Sequence, residues 1–164
     1  MGGPPVLTRA RADGLVEIEE KAGPAARARR SVYLLYRRSY NHSLLTVFDQ
    51  PLVAQNCAYR DASAVPLQSL TMLNDAFVAE QARHFAHRVE RLAGNTGEPA
   101  ITTAFRLALA RSPTAAETAI GYRLLERQAA AYRAAGRSAG EADHLALIHW
   151  CHTLVNTSEF LYVE

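Results

Sequence analysis

Lysine is almost missing from this 164-residue sequence: Lys21 is the only one, and the rest of the positive charge is arginine. The formal net charge is only +2 at pH 7. A chain whose main partner is nucleic acid needs a concentrated basic face, so this balance argues against nucleic acid in that role. The arginine bias, alongside the many alanines, reads as composition and not as an Arg-rich binding site. Cysteine is scarce too. Cys57 and Cys151 are too few for a disulfide scaffold and have no zinc-type spacing. In an oxidising compartment they could pair, which would stabilise the fold by about 4–5 kcal/mol in the chain-entropy model. The simpler reading is two small buried hydrophobes. No run approaches the ~20 apolar residues of a membrane span. The Met-Gly-Gly-Pro-Pro start has neither the charge nor the apolar run of a signal peptide. The expectation is a cytoplasmic protein or a piece of a longer exported one. Gly-rich phosphate loops, nucleophile elbows and paired-carboxylate signatures are all absent. Aromatics make up only 8% and are not clustered, so Tyr33, Tyr36, Tyr40, Tyr59 and Trp150 read as core or rim residues ahead of a sugar-stacking platform.

What is present is an ample apolar fraction, 49%, enough for the core of one domain. The first dozen residues are rich in glycine and proline and read as irregular. Leu15 to Glu19 alternates apolar and acidic, a short half-buried strand. Ser31 to Tyr36 is apolar on both faces, as in a covered second strand. Two strands form a marginal sheet and must pack on helices or on a missing partner. Gly23-Pro24 signals a turn, and one short helical turn fits Leu44–Phe48. Beyond Pro66 the chain reads as four helices. The first runs to Gly94 with Leu70, Leu73, Phe77, Phe85, Val89 and Leu92 as its stripe. The second starts at Pro99 and carries Ile101, Phe105 and Leu109. Capping boxes at Thr114–Glu117 and Ser138–Glu141 open the third and fourth. The third carries Ile120, Leu124 and Leu125, and the fourth Leu145, Ile148 and Leu154. The apolar tail after Glu159 is expected to dock. The fold class is therefore mainly α: a four-helix C-terminal part, a short two-stranded β element and a loop-rich N-terminal region. Residues 1–30 form an irregular extension with a short strand, and residues 31–164 form the helical domain.

Several polar groupings are candidates for chemistry. His149 and His152 lie three apart on a helix and could share a metal with a Cys151 thiolate. His84 and His87 form a second such pair, on the wet face of their helix. Helical metal pairs usually sit four apart with a nearby carboxylate base, so solvated or hydrogen-bonded histidines are the favoured reading. Asp49, His42 and Arg60, with Arg37 and Arg38, could converge on an acid/base or carboxylate-binding centre. The same residues serve equally to fix a loop-rich region, and the structural role is favoured. Asn74 and Asn156 read as helix-end hydrogen-bonders, Gln68 as a helix side chain bonding to a loop, and Glu159 as the partner of an arginine.

These residues also carry a resemblance. Arg37-Arg38, then Phe48-Asp49, then Cys57 and Arg60, then Pro66-Leu67-Gln68, Leu70-Thr71, Leu73-Asn74 follow one pattern. Leu154, Asn156 and Glu159-Phe160-Leu161-Tyr162 close it. The chain resembles the PSD1 family, a planctomycete-type domain of unknown function also called DUF1553. Two positions depart from that pattern: Asn41 and Ser43 stand where prolines are common, and Val65 stands where a threonine often precedes Pro66. The resemblance implies a C-terminal domain of a large exported protein, at the periplasm or cell envelope, linked to polysaccharide breakdown. Relatives often carry haem c on a separate segment; this chain has no Cys-x-x-Cys-His, so no cofactor is expected on it. The combination of no export signal, no catalytic motif and an abrupt Gly-Pro start leads to the expectation of a non-catalytic structural or interaction module. Its expected partner is an upstream domain of the same polypeptide or a partner subunit, with polysaccharide a further candidate. The rival readings are a glycan hydrolase using Asp49 with His42 or Arg60, and a redox accessory of a cytochrome-containing protein.

Overall fold

A computed structural model describes residues 3–19, 23–37, 40–50 and 66–162. The chain divides into two compact units, Met1–Thr71 and Met72–Glu164.

The first unit is built on a hairpin. Strands β1 (Thr8–Ala10) and β2 (Val16–Ile18) pair antiparallel, with Thr8 opposite Ile18 and Ala10 opposite Val16. Asp13 makes the turn: its Oδ1 accepts the Leu15 N–H at 3.1 Å, and the Gly14 N–H returns to the Arg11 carbonyl. Val16 is buried and Glu17 is exposed, as the alternation predicts. The partner of this strand is a correction to the sequence reading. It is the segment expected to be irregular, and not Ser31–Tyr36. Ser31–Tyr33 forms a 3₁₀ turn with Val32 75% exposed. Tyr33 to Leu35 meet Val6, just before β1, in an isolated parallel bridge. The physical reason is locality: a tight Asp-Gly turn brings β1 to β2 at little loop-closure cost, while the later segment must close a longer loop. Gly23–Arg27, read as a turn, is a single helical turn, α1.

Helix α2 (Ser43–Val47) occupies the predicted position. Ser43 Oγ accepts the Val16 N–H at 2.8 Å, tying α2 to the exposed edge of β2. Helix α3 (Pro66–Asn74) begins at the predicted proline. Its Gln68 is only 2% exposed and donates from Nε2 to the Val47 carbonyl at 3.1 Å, satisfying the end of α2.

The second unit is all helical. The expected helix to Gly94 is in fact two, because the Asp75 carboxylate accepts the N–H groups of Phe77 and Val78 and so caps a new helix, α4 (Ala76–Ala93). Helix α5 spans Gly97–Leu109, α6 Ala115–Ala134, α7 Ala139–Val155 and α8 Ser158–Leu161. Helix α7 is central and packs on α4, α5 and α6, while α8 rests on α5 and α7. The core gathers Val89, Ile101, Phe105, Leu125, Leu147, Trp150, Cys151 and Leu154. Alanines at 86, 100, 104, 129 and 146 are almost wholly buried and let the helix axes approach closely. Gly121 extends this logic: a Cβ there would lie 3.1 Å from the Ile101 side chain.

The predicted stripe of the first helix is also corrected. Val89 is in the core and Phe85 packs against it as expected, but Val78, Ala82 and Ala86 are the other buried residues of α4, whereas Leu70, Leu73 and Leu92 are more than half exposed. The Thr114 capping box forms in full, with Thr114 Oγ1 accepting the Glu117 N–H and Glu117 accepting the Thr114 N–H. At Ser138 only the forward half forms, since Glu141 turns to Arg137 instead. Gly136 ends α6 in the left-handed region (φ 85°), so that the Arg137 N–H reaches back to the Tyr132 carbonyl in a Schellman closure.

Candidate functional site

Asp49 directly follows α2 and its C-cap residue Phe48, with φ 54°, the left-handed region. Its N–H bonds to the Thr46 carbonyl and the Gln50 N–H to the Leu45 carbonyl, a Schellman closure with aspartate where glycine is usual. His42 is the N-cap residue of the same helix. The two candidates for acid/base chemistry thus stand at opposite ends of one helical turn. Arg37 is exposed, bridges to Tyr40 and lies over its ring, 5.6 Å from the centroid. Arg38, Cys57, Tyr59 and Arg60 lie outside the described residues, so the proposed Asp49–Arg60 pair does too.

The α7 candidates serve three separate purposes. The His149 ring meets the Tyr132 hydroxyl at 2.6 Å, joining α7 to α6. Burial, and secondarily the neighbouring His152, hold His149 below the usual histidine range. His152 Nε2 lies 3.0 Å from the Met72 carbonyl at the end of α3. Cys151 is fully buried between them in sequence, and burial pushes its thiol up to about 12, so it stays protonated. Among the described residues no three histidine, cysteine or acidic groups converge as metal ligands. Trp150, considered for sugar stacking, is 3% exposed and packs against Phe105 in the core.

The densest polar centre was not singled out in the sequence. Arg111 follows the left-handed Ala110 that ends α5. Its guanidinium lies 5.2 Å from the Phe105 ring centroid. It donates to both oxygens of Glu159 at 2.6 and 2.7 Å, and to both oxygens of Glu117 at 2.7 and 2.9 Å. The capping-box glutamate of α6 and the first turn of α8 therefore share one cation. The hydrogen bond from Arg111, followed by that from the Thr114 backbone, holds Glu117 down at about 2. Arg111 likewise holds Glu159 below the usual carboxylate range, and the two carboxylates raise Arg111 further. The signal for this centre was half present: Glu159 called for an arginine, but its partner lies 48 positions away. Nearby in the order of the chain, Asn156 caps α7 by donating to the His152 carbonyl at 2.7 Å. Phe160, in α8, is 44% exposed, and Asn74 closes α3. A second unforeseen pair, His144 with Glu90 at 3.0 Å, joins α7 to α4.

Residues 1–125 match the PSD1 family, described as a protein of unknown function (DUF1553). The chain belongs to the PSD1 family. The match takes in the hairpin, α1 to α5 and the first half of α6, so Arg111 and Glu117 fall inside it. The closing PSD1 motif read at Leu154 to Tyr162 lies beyond the matched residues. No curated protein and no solved structure matches the chain. No described helix is long and apolar enough to cross a membrane.

Proposed function

We propose that this PSD1 domain is a non-catalytic structural and interaction module of a larger exported envelope protein. It would dock on another domain of the same polypeptide or on a partner subunit that carries the chemistry, including any haem. The observation that carries this reading is helix α3. Its Leu67, Leu70 and Leu73 are 55%, 58% and 56% exposed. Three leucines at this spacing on one short helix form an apolar face, and such faces mark interaction surfaces. The polar candidates add support, because Gln68, Ser43, Asn156 and Glu159 all make bonds that fix the chain. Asp49 takes the left-handed position that stops α2, which fits a structural role. A connection with polysaccharide breakdown in the envelope rests on the PSD1 resemblance.

The test is dye binding to the purified chain. An apolar-surface dye is expected to bind, and Leu67→Ser/Leu70→Ser/Leu73→Ser to abolish the signal while leaving the melting temperature within a few degrees. A monomer with no dye signal and a high melting temperature would sink the reading.

A further inference from the structure

Helix α4 divides sharply around its axis. Val78, Ala82, Ala86 and Val89 are buried on one side. On the opposite side Arg83, His84, His87, Arg88 and Arg91 are all exposed. At 100° per residue these five fall within an arc of about 140°, and Arg83 to Arg91 spans about 12 Å along the axis. In the second unit Arg111 pairs with two glutamates, Arg133 with Asp143 and Arg137 with Glu141, while Arg106, Arg123 and Arg127 are scattered and, among the described residues, have no ion pair. Among the described residues Arg83, Arg88 and Arg91 have no ion pair. Glu80 lies on the same side one turn before His84, 3.9 Å from its ring, and Glu90 at the margin is hydrogen-bonded to His144 at 3.0 Å. Three guanidinium forks are left facing solvent on a rigid, well-anchored helix.

We propose that this face of α4 binds an acidic polysaccharide, its arginines clasping carboxylates along the polymer. The complementary partner must be anionic, and a guanidinium matches a carboxylate in a two-point fork. Between Arg83 and Arg91 the arc holds no apolar side chain; Phe77, 36% exposed, lies on the same side nearer the start of α4, and Leu92, 62% exposed, lies at the margin. A protein partner needs an apolar, often aromatic, interface centre, and a membrane surface needs side chains to insert. Neither is offered between Arg83 and Arg91, whereas a hydrated polyanion requires neither. Duplex nucleic acid is served by footprints of roughly 6–10 phosphate contacts, more than three arginines supply. This proposal is independent of the docking reading of α3: either surface can fail its test without the other.

The experiment measures affinity of the full chain for polygalacturonate, with neutral dextran, duplex DNA and anionic phospholipid vesicles as comparisons. Binding to polygalacturonate alone is expected, weakening with salt at a log–log slope of about −3. Arg88→Gln/Arg91→Gln is expected to weaken it at least tenfold. Arg123→Gln/Arg127→Gln, which removes the same charge from exposed positions on α6, is expected to leave it within twofold. An unchanged melting temperature confirms that each variant is folded. No binding to polygalacturonate, equal loss in both double variants, or tighter binding to DNA or vesicles would each overturn the proposal.

Discussion

At the scale of single residues, backbone geometry gives two positions a structural part. Asp49 carried two readings in the sequence, an acid/base or carboxylate-binding centre and, favoured, a structural role. Its φ of 54° gives it a conformational role that any left-handed-tolerant residue can fill. In chemical denaturation, Asp49→Gly is therefore expected to be at least about 1 kcal/mol more stable than Asp49→Val, whose branched side chain resists that conformation. A glycine variant far less stable than the valine one would contradict this. Gly121 lies on α6 against Ile101, which is fully buried and has little room to yield. Alanine would gain about 1 kcal/mol of helix propensity, but overpacking costs typically 1–3 kcal/mol. Gly121→Ala is expected to lower the denaturation midpoint, and a higher midpoint would show that the interface relaxes. Neither position was legible from residue type alone, because a left-handed stop and a van der Waals gap depend on neighbours fixed only in three dimensions.

At the scale of elements, local signals were the readable ones. The capping residues of α6 and α7, the proline opening α3 and the glycine ending α6 each act within a few residues, and each element starts or stops where expected. The errors came where a local pattern had two solutions. The apolar run Ser31–Tyr36 suits a covered strand, but the competing Asp13-Gly14 hairpin won the pairing. Asp75 was passed over as a helix breaker because the apolar period continues through it. The α6 cap also makes a pH prediction. Glu117 is held at about 2 when folded, below its ordinary 4.5, so its contribution is fully present above about pH 4.5. It is lost as pH falls through the window from 4.5 to about 2, where the unfolded chain binds the extra proton. Thermal unfolding followed between pH 6 and 2.5 should show a steeper decline for the parent protein than for Glu117→Gln. Parallel declines would remove this residue from the acid response.

At the scale of the whole molecule, the main core cluster of the second unit draws, among the described residues, on residues from Phe85 to Leu154. A fragment from Pro66 to Glu164 is expected to fold alone, with cooperative unfolding and helical circular dichroism; a non-cooperative melt would show that it needs the first unit. The fold class was legible because helical periodicity, caps and breakers repeat through the C-terminal part. The Arg111 centre was not, because Glu159 meets its cation only after α6 and α7 have turned the chain back on itself. That arrangement has a consequence for how such sequences change over time. A lysine cannot meet both oxygens of two carboxylates at once, and a lineage that discards the cation strands two like charges side by side. Positions 111, 117 and 159 should therefore be inherited, or abandoned, as a set.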